Sequence, residues 1–166
     1  LLAADLAANA AGEIATIAGV SATAQTLLAG AASDLTSTAV SNIETLNAAG
    51  AVTLDAADVA AFSTQIDMAA ATSDLILSGA GTFNFSTTDI ADGDGNANDD
   101  LIIGVNADDS DITVVADAAD LAGFDEITGD GTDGVYQTLS LNDTTSFAAL
   151  AVTELDSFII HVGCSH

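Results

Sequence analysis

The chain has 166 residues, and it contains no Lys, Arg or Pro against 25 Asp and Glu, so its formal net charge is −25. Without basic side chains it has nothing to displace the counterions of phosphate groups, which excludes nucleic acid and an anionic membrane surface as partners. Nearly half of the residues are nevertheless apolar, which argues against acidic disorder and predicts one domain with its own core. No apolar run approaches the ~18 residues of a membrane-spanning helix, so we expect no membrane insertion.

The N-terminal segment, residues 1–33, is rich in Ala and carries apolar side chains at nearly helical spacing, namely Leu2, Leu6, Ile14 and Ile17. This spacing predicts an amphipathic helix of about four turns, and residues 21–32 form either a second short helix or an irregular first repeat. The terminal unit of a repeat stack usually differs from the others because it covers an exposed core end. We therefore interpret 1–33 as a helical cap or docking segment, followed by a β-rich repeat domain over 34–166. An ordinary amphipathic helix on a globular core is the alternative.

An eight-residue acidic phrase organises the rest of the chain. It occupies Asp55–Phe62 and returns at Asp117–Phe124 with two conservative changes, and weaker copies begin at Ser86 and Ala151. The first three copies are 31 residues apart, a shift that also superposes Leu46 on Leu77. A fixed period near thirty residues predicts stacked supersecondary units. The predicted units cover 43–62, 74–93, 101–124 and 138–158.

Each unit alternates apolar and polar residues over short runs, as in Val52–Leu54 and Phe83–Phe85, which is the period of a strand with one buried face. The octet then changes to helical spacing, with Asp55 or Asp117 in the N-cap position and a second Asp three residues later. The predicted fold class is therefore mainly β: a stacked-repeat, β-solenoid-like domain with short helical turns and the N-terminal α-helical segment. A compact sandwich that carries a duplicated motif is the alternative fold.

The densest group of hard oxygen ligands lies between Asp92 and Asp100, where Asp and Asn alternate with Gly. Calcium takes about six to eight oxygen ligands on flexible loops of this composition, and the chain has no Lys or Arg to neutralise these carboxylates. We predict a calcium site here and a less specific one at Asp130 and Asp133. The predicted ligands are Asp92, Asp94, Asn96, Asn98, Asp99, Asp100, Asp130 and Asp133. A solvated turn rich in Asp, Asn and Gly is the alternative.

No catalytic constellation stands apart from the repeat. The paired carboxylates recur with the octet, a phosphate-binding loop has no Lys to use, and no glycine pattern marks a nucleophilic Ser. His161, Cys164 and His166 are soft metal ligands, but they lack the paired spacing of a structural zinc site. We therefore expect no enzymatic activity, no catalytic residues and no organic cofactor.

The acidic composition and three phrases, AVSNIETLN, AVTLDAADVAAF and DGDGNANDDLIIG, resemble the repetitive regions of large secreted bacterial surface proteins, both S-layer-like and RTX-type adhesin chains. The resemblance implies a calcium-stabilised, β-rich module that is exported from the cell. The expected function is an extracellular structural protein at the cell surface, which associates with itself into a surface layer or filament. A calcium-dependent adhesin or glycan-binding module, with surface glycans as partners, is the alternative. That alternative predicts exposed aromatic side chains, and the chain has one Tyr and no Trp.

Overall fold

The structure is a computed structural model, and it describes residues 14–20, 23–30, 32–70, 72–92, 99–104, 111–129, 131, 136–142 and 151–160. Within these ranges the fold is mainly β, and all twelve strand pairings are parallel. A parallel strand cannot be reached through a tight hairpin. The chain therefore travels through other sheets before it returns to the sheet that it left.

The described strands are short, and one helix interrupts them. The strands are β1 (Thr16–Ala18), β2 (Thr26–Ala29), β3 (Ser33–Asp34), β4 (Ala39–Ser41), β5 (Thr45–Ala48), β6 (Val52–Leu54), β7 (Gln65–Met68), β8 (Leu75–Leu77), β9 (Gly81–Asn84), β10 (Asp89–Asp92), β11 (Asp99–Ile103), β12 (Ile112–Ala116), β13 (Phe124–Thr128), β14 (Gln137–Leu141), β15 (Ala151–Thr153) and β16 (Ser157–Ile160). The helix, α1 (Ala56–Ala61), lies between β6 and β7.

Successive strands lie in different sheets. The first sheet has the order β2-β5-β7-β10, the second β3-β6-β8-β11-β13-β15 and the third β9-β12-β14-β16, while β1 and β4 form a small sheet of two strands. The chain thus returns repeatedly to each sheet, and each return, which we call a circuit, adds a strand to the edge of that sheet. α1 packs against both β4 and β9, so it occupies a place between the small sheet and the third sheet.

The core consists of ladders of inward-facing side chains that run through the stack. Leu54, Leu77 and Ile103 are mutual partners on β6, β8 and β11, and all three are fully buried. β12 alternates buried and half-buried residues along its length, which confirms the predicted two-residue period. Because each circuit buries its apolar side chains against the circuits before and after it, the stack as a whole excludes water.

The predicted 31-residue register describes the pairing of β9 with β12, where Gly81 pairs with Ile112, but it does not describe the other pairs of stacked strands. It superposed Leu46 on Leu77, but Leu46 pairs with Ile66 in the first sheet and Leu77 pairs with Leu54 in the second. Strands of neighbouring sheets carry the same alternation of apolar and polar residues. When the sequence is compared with itself, a shift that superposes a strand of one sheet on a strand of the next sheet therefore aligns apolar residues as well as the true register does.

The helix predicted for the N-terminal segment is wrong where the structure describes that segment. Residues 14–20, 23–30 and 32–33 contain β1, β2 and the start of β3, which pair with β4, β5 and β6. Ile17, assigned to a helical face, is a buried strand residue opposite Val40. Pairing with the next circuit overrides the weak helical preference of an Ala-rich sequence. Residues 1–13 lie outside the described part of the chain.

The acidic octet forms a helix in its first copy only. α1 confirms the prediction there, whereas the second copy, Asp117–Phe124, forms consecutive turns. The helical turns predicted for the weaker copies are wrong, since Ser86 opens a turn that leads into β10 and Ala151 begins β15. The copy at Ser86 has Gly93 where the two stronger copies have a buried Phe. A helical turn at that place would have no large apolar side chain to bury.

Candidate functional site

The first octet brings two carboxylates together at the N-terminus of α1. Asp55 Oδ1 accepts hydrogen bonds from the backbone N–H groups of Ala57 at 2.8 Å and Asp58 at 2.9 Å. In return, Asp58 Oδ2 accepts a hydrogen bond from the backbone N–H of Asp55 at 3.1 Å. This is a capping box in which Asp takes the place of the usual Glu. The N-cap role that the sequence predicted for Asp55 is thereby confirmed.

The second carboxylate of this box is buried. Asp58 is 3% exposed, and burial raises its pKa from 3.8 to about 7. The hydrogen bond from the Asp55 backbone lowers this pKa, while the negative charges of Asp55 and Asp34 raise it further. Asp58 therefore changes its charge near neutral pH, where an exposed Asp is fully ionised.

The second octet repeats one half of this arrangement without a regular helix. Asp120 Oδ2 accepts a hydrogen bond from the backbone N–H of Asp117 at 2.9 Å, and Asp120 is buried. Burial raises the pKa of Asp120, and the charges of Asp117 and Asp89 raise it too, against backbone hydrogen bonds from Asp117 and Ile90. Ile90 belongs to β10, so the second octet stacks on the last strand of the first sheet. In both octets, therefore, a buried Asp accepts a hydrogen bond from the backbone N–H of the Asp three residues earlier.

A cleft of about 380 Å³ lies beside the first octet. It is lined by residues 36–40, Asp55, Ala57 and Asp58, which join the turn before β4 to the start of α1. Its polar wall consists of hydroxyl groups and the two carboxylates of the capping box. The lining contains no His, Cys or Lys, so it lacks the usual partners that would make one of these hydroxyls a nucleophile.

A further group of carboxylates lies on adjacent strands of the second sheet. Asp100 on β11 pairs with Glu126 on β13, and Asp74 directly precedes β8, the other neighbour of β11. Burial raises the pKa of Asp100, and the negative charges of Asp74, Glu126 and Asp125 raise it further. Like charges on neighbouring strands oppose the stacking of those strands. A proton or a bound cation would relieve this repulsion.

The structure describes three of the predicted calcium ligands. Asp92 ends β10 and Asp99 begins β11, so residues 93–98 connect the first sheet to the second. Asp99 is fully buried, and its Oδ1 accepts a hydrogen bond from the backbone N–H of Ser73 at 2.6 Å. Asp100 is half-buried, and the alternating burial along β11 places it on the opposite face from Asp99. The structure therefore does not direct these two carboxylates towards one point.

The remaining predicted ligands, Asp94, Asn96, Asn98, Asp130 and Asp133, lie outside the described residues, as do His161, Cys164 and His166. Within the ranges that the structure does describe, no three His, Cys, Asp or Glu side chains form a group that could hold a metal ion. Calcium binding by residues 92–100 stays a prediction.

Sequence reasoning assigned a capping role to the octet acids but missed that Asp58 and Asp120 are buried. The available signal was the apolar setting of both residues. Asp58 precedes Val59 and lies four residues before Phe62, and Asp120 has the same relation to Leu121 and Phe124. An acid placed inside a helical stripe of apolar residues turns towards the core together with them.

None of the described helices is long and apolar enough to cross a membrane. Tyr136 has 65% of its surface exposed, and its backbone N–H donates to Asp111 Oδ1 at 3.1 Å. Comparisons with protein-family models, with curated proteins and with solved structures find no match.

Proposed function

We propose that this chain is an extracellular structural protein of the β-solenoid type, which self-assembles into a surface layer or filament and is stabilised by calcium. The observation that carries the proposal is the end of the stack formed by β15 and β16. Core-facing apolar side chains are exposed there, on strands that end the second and third sheets. Exposed apolar residues on unpaired strand edges favour association with another chain.

The winding of the chain supports the solenoid part of the proposal. Every described strand pairing is parallel, and strands of the first and second sheets alternate along the sequence from β2 to β11. Stacked circuits of this kind are built from units that bury their apolar faces only against neighbouring units. Such a stack can be extended by another chain that presents a matching end.

The open end can be followed along the core ladders. Val152, Phe158 and Ile160 are 41%, 45% and 46% exposed, and the strand register places them in line with ladders of core residues. Their partners one circuit earlier, Ile127, Leu139 and Leu141, are fully buried. The apolar ladders therefore reach the last described circuit with part of their surface exposed, and exposed apolar surface of this kind favours association with a second chain.

The charge of the chain supports a role for calcium. Two copies with a formal net charge of −25 each repel one another, and neither has Lys or Arg to compensate. Carboxylates also lie on adjacent strands within one copy, as at Asp74, Asp100 and Glu126. A divalent cation held by residues 92–100 would reduce the net charge of each copy, and with it both kinds of repulsion.

Removing calcium is expected to abolish assembly and to weaken the fold. If free calcium stands about a hundredfold above the dissociation constant, each occupied site adds ~2.7 kcal/mol to the free energy of unfolding. Sedimentation velocity and urea unfolding, each with calcium and with a chelator, measure the two effects. Magnesium at equal ionic strength is the control for charge screening. Equal mass and equal stability in all three buffers would exclude the calcium part of the proposal.

The exposed ring of Tyr136 favours a second candidate, a calcium-dependent adhesin or glycan-binding module, because exposed aromatic rings stack on sugars. Under that candidate, Tyr136→Ala weakens binding to an immobilised glycan at least tenfold, and Tyr136→Phe retains most of it. A glycan array probed with the wild-type chain in calcium identifies the ligand first. Wild-type binding that is unaffected by Tyr136→Ala would remove this residue from the binding surface.

A further inference from the structure

We propose that Asn84 is a site of N-linked glycosylation, where a sugar is attached to the side-chain amide. This modification rests on the proposed extracellular function, because exported chains are the ones that meet the sugar donor. Asn84, Phe85 and Ser86 have the Asn-x-Ser/Thr pattern that N-glycosylation requires, with a residue other than Pro in the middle.

The side chain of Asn84 is exposed and is held by the residue that completes the pattern. Asn84 ends β9 on its outer face, whereas Phe83 and Phe85 on either side of it are buried. Asn84 Oδ1 accepts hydrogen bonds from the Ser86 backbone N–H at 3.0 Å and from the Ser86 hydroxyl at 2.7 Å. Because the carboxamide is planar, Nδ2, the atom that is glycosylated, lies on the other side from Oδ1 and its partners.

The same turn occurs after β3, and there an Asp takes the place of the Asn. Asp34 Oδ1 accepts hydrogen bonds from the Thr36 backbone N–H at 3.0 Å and from the Thr36 hydroxyl at 2.8 Å. In both turns the next residue is buried, Leu35 in one and Phe85 in the other. The turn therefore needs only a side-chain oxygen, which Asp and Asn both supply.

The amide nitrogen is what distinguishes Asn84 from Asp34. The chain contains 25 Asp and Glu and forms the equivalent turn with an Asp, so the turn alone does not explain an amide at position 84. Among the described residues, none forms a hydrogen bond with Asn84 Nδ2. This nitrogen is therefore free to form a bond with a sugar while Oδ1 continues to hold the turn.

The reaction at Nδ2 is a substitution at the sugar. The donor is a sugar that is linked through a diphosphate to a lipid carrier. Nδ2 forms a bond with the anomeric carbon of the sugar, and the bond from that carbon to the diphosphate oxygen breaks. The lipid diphosphate leaves with the electron pair, and the proton that Nδ2 loses passes to solvent. No oxidant or reductant takes part.

The strand that carries Asn84 can hold a sugar without losing its contacts. Asn84 and Thr82 are exposed on the outer face of β9, and Val115, the partner of Asn84 on β12, is half-buried. β9 and β12 pair through backbone groups, including a hydrogen bond of 2.8 Å from the Phe85 N–H to the Val115 carbonyl. A sugar on Nδ2 therefore leaves both this pairing and the buried side chains in place.

Mass spectrometry of the chain purified from its native source tests the assignment. The chain has no Lys or Arg at which trypsin could cut, but cleavage before Asp releases residues 74–88, in which Asn84 is the only Asn. We expect this peptide to carry the mass of a glycan, and the amidase that releases N-linked glycans should convert Asn84 to Asp. A peptide of unmodified mass would overturn the proposal, whatever is found at Asn142, which begins a second Asn-x-Thr pattern.

Variants of the full chain, exported from a host cell that makes the lipid-linked donor, separate the amide from the turn. Asn84→Asp keeps the turn in the form seen at Asp34, and Ser86→Ala removes the hydroxyl. Each is expected to lower modification at position 84 at least tenfold, whereas Ser86→Thr retains it. Asp34→Asn completes the pattern with Thr36, so we expect it to gain a glycan at position 34. The sugar is added during export, so a variant that folds poorly still gives a result, and wild-type modification of Ser86→Ala would overturn the proposal.

The outcomes separate this inference from the proposed function. A chain that assembles at the cell surface with Asn84 unmodified overturns the glycosylation site and leaves self-assembly in place. A chain that is glycosylated but stays monomeric with and without calcium supports the site and overturns self-assembly. A chain that is found only inside its native cell overturns both.

Discussion

Raising the pH from 5 to 8 is expected to destabilise the folded chain by about 2–3 kcal/mol through Asp58 alone. Burial raises the pKa of this carboxyl to about 7, so the folded chain retains a proton that the unfolded chain has released near pH 4. The resulting stabilisation is complete below the unfolded pKa and is lost as the pH rises through about 7. The pKa of Asp120 is raised for the same reason, so it changes stability in the same direction.

Urea unfolding at several pH values in a calcium-free buffer measures this slope. Asp58→Asn removes the titrating group and keeps an oxygen that can accept the hydrogen bond from the Asp55 backbone. We therefore expect the variant to be more stable than the wild type at pH 8 and to have a shallower pH dependence. Asp55→Asn is the matched control, since Asn is also a good N-cap and Asp58 remains free to titrate.

The comparison of the two variants separates the buried acid from the general effect of net charge. Each substitution removes one carboxylate from the same capping box, so repulsion across the whole chain changes equally. A pH slope that falls to the same extent in both variants would mean that net charge causes it, and that Asp58 is no special contributor.

Phe83→Ala is expected to destabilise the chain by about 3–5 kcal/mol, which is the usual range for a buried Phe. Phe83 is fully buried on β9 and pairs with Val114, which in turn pairs with Leu139 and then Phe158. Truncation of Phe83 leaves a cavity at the buried end of this ladder. Thermal or urea unfolding of the monomer measures the loss.

Phe158→Ala is the matched control, because it removes the same side chain from the open end of the same ladder. Phe158 is 45% exposed, so its truncation is expected to lower the stability of the monomer by less than half as much. Under conditions that favour self-association, the stability lost through Phe158→Ala should be larger. If both substitutions destabilise the monomer equally, the end of the ladder is covered in solution.

Local features of this fold could be predicted from the sequence. The alternation in Val52–Leu54 and Phe83–Phe85 identified strands because the period of two is a property of each strand alone. Asp55 was identified as an N-cap because that role depends on the next three residues only.

The order in which strands stack could not be predicted. Circuits differ in length, since Thr26 pairs with Thr45 whereas Gly81 pairs with the more distant Ile112. A constant period therefore cannot describe how the strands stack. The sequence does not reveal this, because all the strands share the same alternation of apolar and polar residues. The N-terminal strands were missed because β1 and β2 are too short to override an apparent helical pattern in a single sequence.

The candidate site was harder to predict than the fold. Burial of Asp58 depends on the packing of α1 against β4 and β9, which are distant in sequence from each other. The carboxylates of Asp100 and Glu126 become neighbours only when β11 and β13 pair. Composition indicates that such repulsion must exist somewhere in a chain without Lys or Arg, but the strand pairing alone decides where.

The second octet has a consequence for how the stack is built along its length. It lies against β10, where the first sheet ends, and the close approach leaves no room for a side chain at Gly123, where a Cβ would lie 2.8 Å from that of Asp92. Beyond this point the described strands belong to the second and third sheets only. The described circuits towards the C-terminal end of the stack thus place strands in two sheets only, so each makes fewer strand pairings than a circuit with strands in three sheets. In a structure stabilised mainly by contacts between neighbouring circuits, that end frays first, and a partner bound there protects the weakest part of the molecule.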